Sequence, residues 1–237
     1  MKKQTKIALA ILIVLIALLG IATGIYANQY YRAVDVDKYM SSSKSVKVGQ
    51  IDEGYFFDGP GEDKALIFYP GAKVEETAYA PLMQSLAAQG VDCFLIKMPM
   101  KLAFFGMNKA DTIRAEYSYK NYYLAGHSLG GAMAANYAAG HPKEYSGLFL
   151  LAAYPSKDLS DIQFPTVFLY GEHDGVLNRE KLEQGFALVP QDYQKVEIAG
   201  GNHAGFGSYG LQKGDGTATI SPQEQWEITV NTIIENL

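Results

Sequence analysis

Cysteine is nearly missing from this chain. Cys93 is the only one in 237 residues, so no intrachain disulfide can form. A lone thiol neither supports nor excludes an extracytoplasmic location, and its apolar neighbours suit a buried side chain. Histidine is scarce too, with four residues and no Cys/His spacing of the metal-binding kind, so no metal site is expected. A basic excess is also lacking. Residues 1–27 hold three lysines and no acids, which leaves 17 basic against 25 acidic residues in the remainder, a net of −8. That balance argues against nucleic acid, whose binding is dominated by cationic contacts to phosphate, and against a surface that clings to anionic lipid. There is no basic cluster, long repeat or low-complexity tract.

One stretch lacks charge altogether. After the lysines of "MKKQTK", Ile7 to Ala27 runs without a charged residue, long enough to cross a bilayer. A cleaved signal usually has a shorter apolar core, so residues 1–27 read as an uncleaved anchor. Secretion after cleavage, at a site such as Ala22-Thr23-Gly24, is the alternative. The flanking lysines should stay in the cytoplasm. The protein is then expected at the cell membrane, single-pass, with its body extracytoplasmic. Residues 28–45 end in "MSSSKS" and read as a linker. Residues 46–237 are long enough for one domain.

Within that domain, "SVKVGQIDEGYFFDG" suggests two short hairpin strands. Strands are then expected at 65–70, 91–99, 121–126, 146–155, 166–173 and 193–200. Helices are expected at 76–90, 108–117, 129–139, 178–188 and 221–236. Such alternation predicts an α/β fold, a mostly parallel central sheet with helices on both faces. Ligands on such sheets bind beyond the carboxyl ends of the strands.

At one of those ends lies Gly126-His127-Ser128-Leu129-Gly130, a G-x-S-x-G string that follows a strand and opens a helix. A nucleophile elbow needs this context, with glycines where a β-carbon would crowd the turn. A phosphate-cradling loop would carry a Walker-type lysine after the glycines, and Ala132 follows Gly131. Ser128 is therefore the candidate nucleophile. A hydroxyl needs a base. His127 adjoins Ser128 but should point away, His141 precedes a proline, and His173 ends a strand. His203, in the glycine-rich loop after the last strand, is the candidate base. Asp174, at the end of the 166–173 strand, is the candidate carboxylate. Its rivals are Glu172, Asp158 and Asp161; Asp215 follows His203 and breaks the Ser…Asp…His order. The oxyanion donors are expected to be the backbone N–H groups of Leu129 and of Ala72 in "YPGAKV".

These elements resemble those of the α/β-hydrolases over about residues 60–237. "FYPGA", "GHSLGG", "YGEHDG" and "GGNHAGFGSYG" carry the likeness, in order. "KMP…LAFFG" and "GDGTATIS" narrow it to a group of small bacterial members. The resemblance implies an α/β-hydrolase fold and hydrolysis of an ester or related acyl compound. Many members have His-Gly at the oxyanion strand; here it is Pro70-Gly71, which keeps the backbone donor.

The segment Pro155 to Pro165 is too short for the helical lid common in the family, so an open site is expected. "MPMKLAFFGM" (98–107) is either a wall or lip for an acyl group, at a membrane-facing mouth, or a satellite core built on Leu102, Phe104 and Phe105. Residues 209–221 are expected to position His203 and to cap the last helix through Ser221 and Glu224. The function expected is a serine hydrolase acting on a small acyl substrate, with no cofactor. A thioesterase, amidase, peptidase or acyltransferase would use the same triad. A non-catalytic membrane-tethered binding module would be expected to have lost a triad member, and all three are present.

Overall fold

The computed structural model describes residues 3–237. They form two units, one ending at Tyr30 and the other spanning Tyr31–Leu237. The first unit is a single helix, α1 (Lys3–Asn28). Its segment Leu9–Asn28 has a mean hydropathy of 2.7. Twenty helical residues rise about 30 Å, the thickness of a bilayer's hydrocarbon core.

The second unit is an eight-stranded sheet with helices on both faces. In chain order its elements are β1 (Lys47–Ile51), β2 (Gly54–Asp58), β3 (Lys64–Tyr69), α2 (Ala80–Ala88), β4 (Asp92–Ile96), α3 (Lys109–Glu116), β5 (Asn121–His127), α4 (Leu129–Ala138), β6 (Gly147–Leu151), β7 (Thr166–Gly171), α5 (Arg179–Phe186), β8 (Gln194–Ile198) and α6 (Pro222–Glu235). The strand order is β1-β2-β4-β3-β5-β6-β7-β8. β1, β2 and β4 pair antiparallel. From β4 through β3 to β8 every pairing is parallel. The carboxyl ends of six strands therefore share one edge.

Central strands are apolar throughout because both faces are covered. Along β3 the side chains alternate between two cores. Leu66 and Phe68 join a cluster with Leu82 and Leu86 of α2 and Trp226 and Val230 of α6. Ile67 and Tyr69 join one with Ile113 of α3, Ala134 of α4 and Phe186 of α5. The expected helix over 76–90 starts as a 3-10 turn, Glu76–Tyr79, and becomes α-helical at Ala80. It stops at Gly90, whose φ of +86° suits glycine. The strand expected over 146–155 ends at Leu151. Residues 152–165 between β6 and β7 contain no helix, so no lid interrupts the strand ends there.

Residues 31–45, where a linker is expected, lie along the second unit. Tyr31 forms a parallel bridge with Val74, Val36 is buried, and Tyr39 meets Trp226 edge-on. The serines serve as acceptors for turns: Ser43 Oγ for Val46 N–H and Ser42 Oγ for Val48 N–H. Composition alone hides this, because two aromatic anchors among polar residues suffice to dock a short segment.

The last helix is capped as expected. Ser221 Oγ accepts from Glu224 N–H while Glu224 Oε2 accepts from Ser221 N–H, a reciprocal capping box. Ser221→Ala should lower stability by about 1 kcal/mol. The measurement is urea unfolding, read as a lower midpoint at unchanged slope; an unchanged midpoint would mean the cap is idle.

Candidate active site

The site starts where β5 hands over to α4. A β-carbon on Gly126 would lie 2.6 Å from Gly130 C, and one on Gly130 would lie 2.1 Å from Tyr69 O. Backbone therefore meets backbone, and the glycines make room for the neighbouring chain rather than for Ser128 itself. Squeezed between them, Ser128 takes φ 53°, ψ −124°, a conformation rare for a residue with a β-carbon. Its N–H donates to Leu151 O at 2.9 Å, which ties the turn to the end of β6.

His203 reaches this turn from the loop after β8. Its ring is buried, and Nδ1–H donates to Asp174 Oδ2 at 2.9 Å. Asp174 is buried as well; its Oδ1 accepts from the N–H groups of Val176 and Leu177. The carboxylate is thus held in place from three sides. His203 Nε2 is buried and makes no hydrogen bond among the described residues. A buried, unpartnered ring nitrogen is unusual enough to need a reason. Ser128 and His203 line one cavity of about 210 Å³, walled by Leu129, Ala153, Tyr154 and Leu177. No hydrogen bond joins Ser128 Oγ to His203 Nε2 among those the described residues make.

The loop after β3 abuts the start of α4 through the Gly130 contact. Ala72 sits there, half-buried. Its N–H and that of Leu129 make no hydrogen bond among the described residues, so both are free to donate. The preceding residue is fixed by a relay that sequence reasoning missed. Gly71 N–H donates to Tyr79 Oη at 3.1 Å, and Tyr79 Oη lies 2.8 Å from His127 Nδ1. Burial pushes the Tyr79 phenol up, so it stays protonated and donates to His127. His127 is not among the residues lining the cavity, and its ring lies 4.5 Å from the His203 ring, tilted by 50°. Burial, then the neighbouring His203, hold its pKa well below the usual 6.5. Nothing in the sequence string marks this pair, because Tyr79 is one of 17 tyrosines.

The rival carboxylates have other partners. Glu172 accepts from Gly200 N–H, and Asp158 from Ser160 N–H. Asp161 is exposed. Asp215 has a part that chain order alone conceals. Its Oδ1 accepts from Gly175 and His203 N–H, and its Oδ2 from Ala204 N–H. It fastens the backbone of the Asp174 loop to that of the His203 loop. The 209–221 segment thus positions His203 and caps α6. Of the apolar 98–107 loop, Leu102 is buried while Phe104 and Phe105 are exposed. Among the described residues, no three His, Cys, Asp or Glu side chains gather as a metal site would need.

Comparison with known proteins bears on the family and the fold. Residues 65–227 match the model of the alpha/beta hydrolase family. Among solved structures, the chain is similar to a dienelactone hydrolase from Anabaena variabilis, with a TM-score of 0.59 and 15% identity, over 83% of this chain and 97% of that one. No curated protein matches the chain by sequence.

The buried His127 gives stability a pH dependence with a definite sign. It stays neutral in the fold, while in the unfolded chain it protonates near its ordinary value of 6.5. Its contribution is full above that value and is lost as pH falls below it, at up to about 1.4 kcal/mol per pH unit. His127→Gln should flatten that slope. Urea midpoints between about pH 8 and pH 5 would measure it, and an equally steep acid loss in the variant would refute it.

Proposed function

The chain belongs to the alpha/beta hydrolase family, and on that premise we propose that it is a serine hydrolase that cleaves a carboxylic ester through an acyl-enzyme on Ser128. The observation that carries this reading is His203 Nε2, buried, unpartnered and lining one cavity with Ser128, while Nδ1 is bound to Asp174. An Nδ1–H held by a carboxylate leaves the lone pair on Nε2, which is the arrangement a general base needs.

In the first step His203 Nε2 takes the Ser128 hydroxyl proton as Oγ bonds to the substrate carbonyl carbon. The carbonyl oxygen gains the negative charge and accepts from the N–H groups of Ala72 and Leu129. Collapse expels the alcohol, which takes the proton back from His203. Water then repeats the sequence and releases the acid, freeing Ser128. Asp174 stabilises the imidazolium formed in each half. In unliganded enzymes the serine–histidine bond is commonly long and tightens only with substrate, consistent with the open contact here. Serine, histidine, aspartate, two backbone amides and the attacking water account for every proton moved and charge stabilised in this reaction.

A fluorophosphonate probe tests the proposal on the full chain in detergent, with the label located by mass spectrometry. Stoichiometric label on Ser128 is expected, absent in Ser128→Ala. Asp174→Asn and His203→Ala should slow both labelling and ester turnover by about 10,000-fold. A folded wild-type protein that takes no label would remove the assignment.

A further inference from the structure

Large apolar side chains are exposed on one edge of the second unit. Seven are exposed on the unit as a whole: Val34, Met100, Phe104, Phe105, Val176, Leu211 and Ile228. Only Ile228, on α6, lies away from the loops that follow strand carboxyl ends or from the segment where the chain enters the unit. Leu211 is 91% exposed, and the Phe104 and Phe105 rings pack against each other, 4.1 Å apart, at 49% and 55%. Exposed apolar residues clustered this way mark a surface that is covered in use.

Backbone hydrogen bonds join these loops into one rim. Lys73 N–H donates to Lys101 O, which ties the loop of Ala72 to that of Phe104. Tyr31 N–H donates to Lys73 O, and Val34 N–H to Ser208 O. The chain therefore enters the unit in the middle of the rim, directly beside the expected oxyanion loop. Tyr31 follows the end of α1 by three residues, a span of at most about 11 Å. The rim's charges also differ from those of its surroundings. Residues 31–35, 71–76, 99–105 and 207–213 carry four basic and three acidic residues, against a net of −8 for residues 28–237. Over these four segments the net charge is +1, so net repulsion of phosphate headgroups is small. Between Val34 and Leu211 opens a cavity of about 370 Å³ lined also by Ala204, Ala218, Ile220 and Pro222. The buried side-chain amides in its wall bond to backbone: Gln225 accepts from Asn202 N–H and donates to Asn202 O, and Asn202 donates to Gly216 O and accepts from Gly205 N–H. A hydrocarbon suits such a cavity better than a polar ligand.

We infer that this rim rests on a lipid bilayer, with α1 as its anchor, and that the ester is an amphiphile taken from that bilayer. The docking rests on α1 spanning a membrane, and the substrate class rests on the serine-hydrolase reading. Partial insertion of the Phe104–Phe105 pair and of Leu211 would supply apolar burial of the interfacial kind. The anchor would then hold the site mouth at its substrate's surface.

Dye-labelled cysteines test the docking independently of catalysis, since Cys93 is buried and unreactive. Phe105→Cys, Leu211→Cys and, at the opposite sheet edge, Glu62→Cys would be labelled in the full chain and reconstituted into phosphatidylcholine vesicles. Spin-labelled lipid should quench the dyes at 105 and 211 and iodide should not, with the reverse at 62. Equal iodide access at all three positions overturns the docking. Protection from iodide without lipid quenching would put a protein on the rim and overturn it too. For the substrate, Phe104→Ser with Phe105→Ser should slow a vesicle-borne long-chain ester at least about tenfold and leave a water-soluble short-chain ester unchanged. Equal slowing of both overturns the substrate class. Fluorophosphonate labelling of Ser128 in the same vesicles reports separately on the hydrolase reading.

Discussion

Backbone meets backbone where the end of β5 passes under the first turn of α4. Gly126 faces Gly130, and Gly130 faces the carbonyls of Tyr69 and Pro70. No side chain fits between them, so the strand, the helix and the loop after β3 are locked at one separation. The strain at Ser128 follows, since the chain must reverse from strand to helix within that gap. Two further placements depend on the same contact. Leu129 begins α4 with a free N–H, and Ala72, two residues after the Pro70 carbonyl that meets Gly130, has another. The Ser128 N–H bond to Leu151 then draws in the end of β6. A single packing constraint thus fixes three strand ends, and the remaining groups are brought to them by loops.

Loops are poor positioning devices unless their polar backbone is satisfied. Here two carboxylates do that work. Asp174 uses one oxygen on the following turn and the other on His203. Asp215 binds the backbone on both sides of that pair. One sets the His203 ring and the other sets the chain that carries it. On the far side of the ring, His127 and Tyr79 form a second layer that ends on Gly71. Every polar group in that layer stays neutral, because burial raises the phenol and lowers the imidazole. A neutral backing leaves Asp174 as the carboxylate bonded to the His203 ring, while Asp215 holds its backbone.

Much of this was legible in the sequence because its causes are local. The glycines around Ser128, the alternating strand and helix periods, and the capping box at Ser221 each act over a few residues. Asp174 and His203 could be named because each follows a strand, and the parallel pairing brings strand ends together. What escaped notice acts across long separations. Asp215 looks out of order along the chain, and its value as a backbone clamp arises only when the 209–221 segment folds back on His203. The Tyr79–His127 pair is 48 residues apart. Residues 31–45 look like a linker by composition, and only the seats offered by Val74 and Trp226 make them part of the unit. The aromatic run at 98–107 divides, with Leu102 inward and the two phenylalanines outward, because a short irregular loop has no period to read.

The short β6–β7 connection raises a question of dielectric. Related chemistry often relies on a closing lid to exclude water and strengthen charge stabilisation. This unit has no room for one, yet the side chains of His203 and Asp174 are only 2% and 0% exposed. On the proposed mechanism, the ion pair formed when His203 takes a proton would already be out of water before a substrate arrives. Ser128 itself is only half-buried. On that proposal a lid would add little to the base and carboxylate, and the task left to the surroundings would be delivery of an acyl group to the cavity beside Ser128. That task falls to the loops of the same edge, which is where the chain enters and where its apolar side chains are exposed.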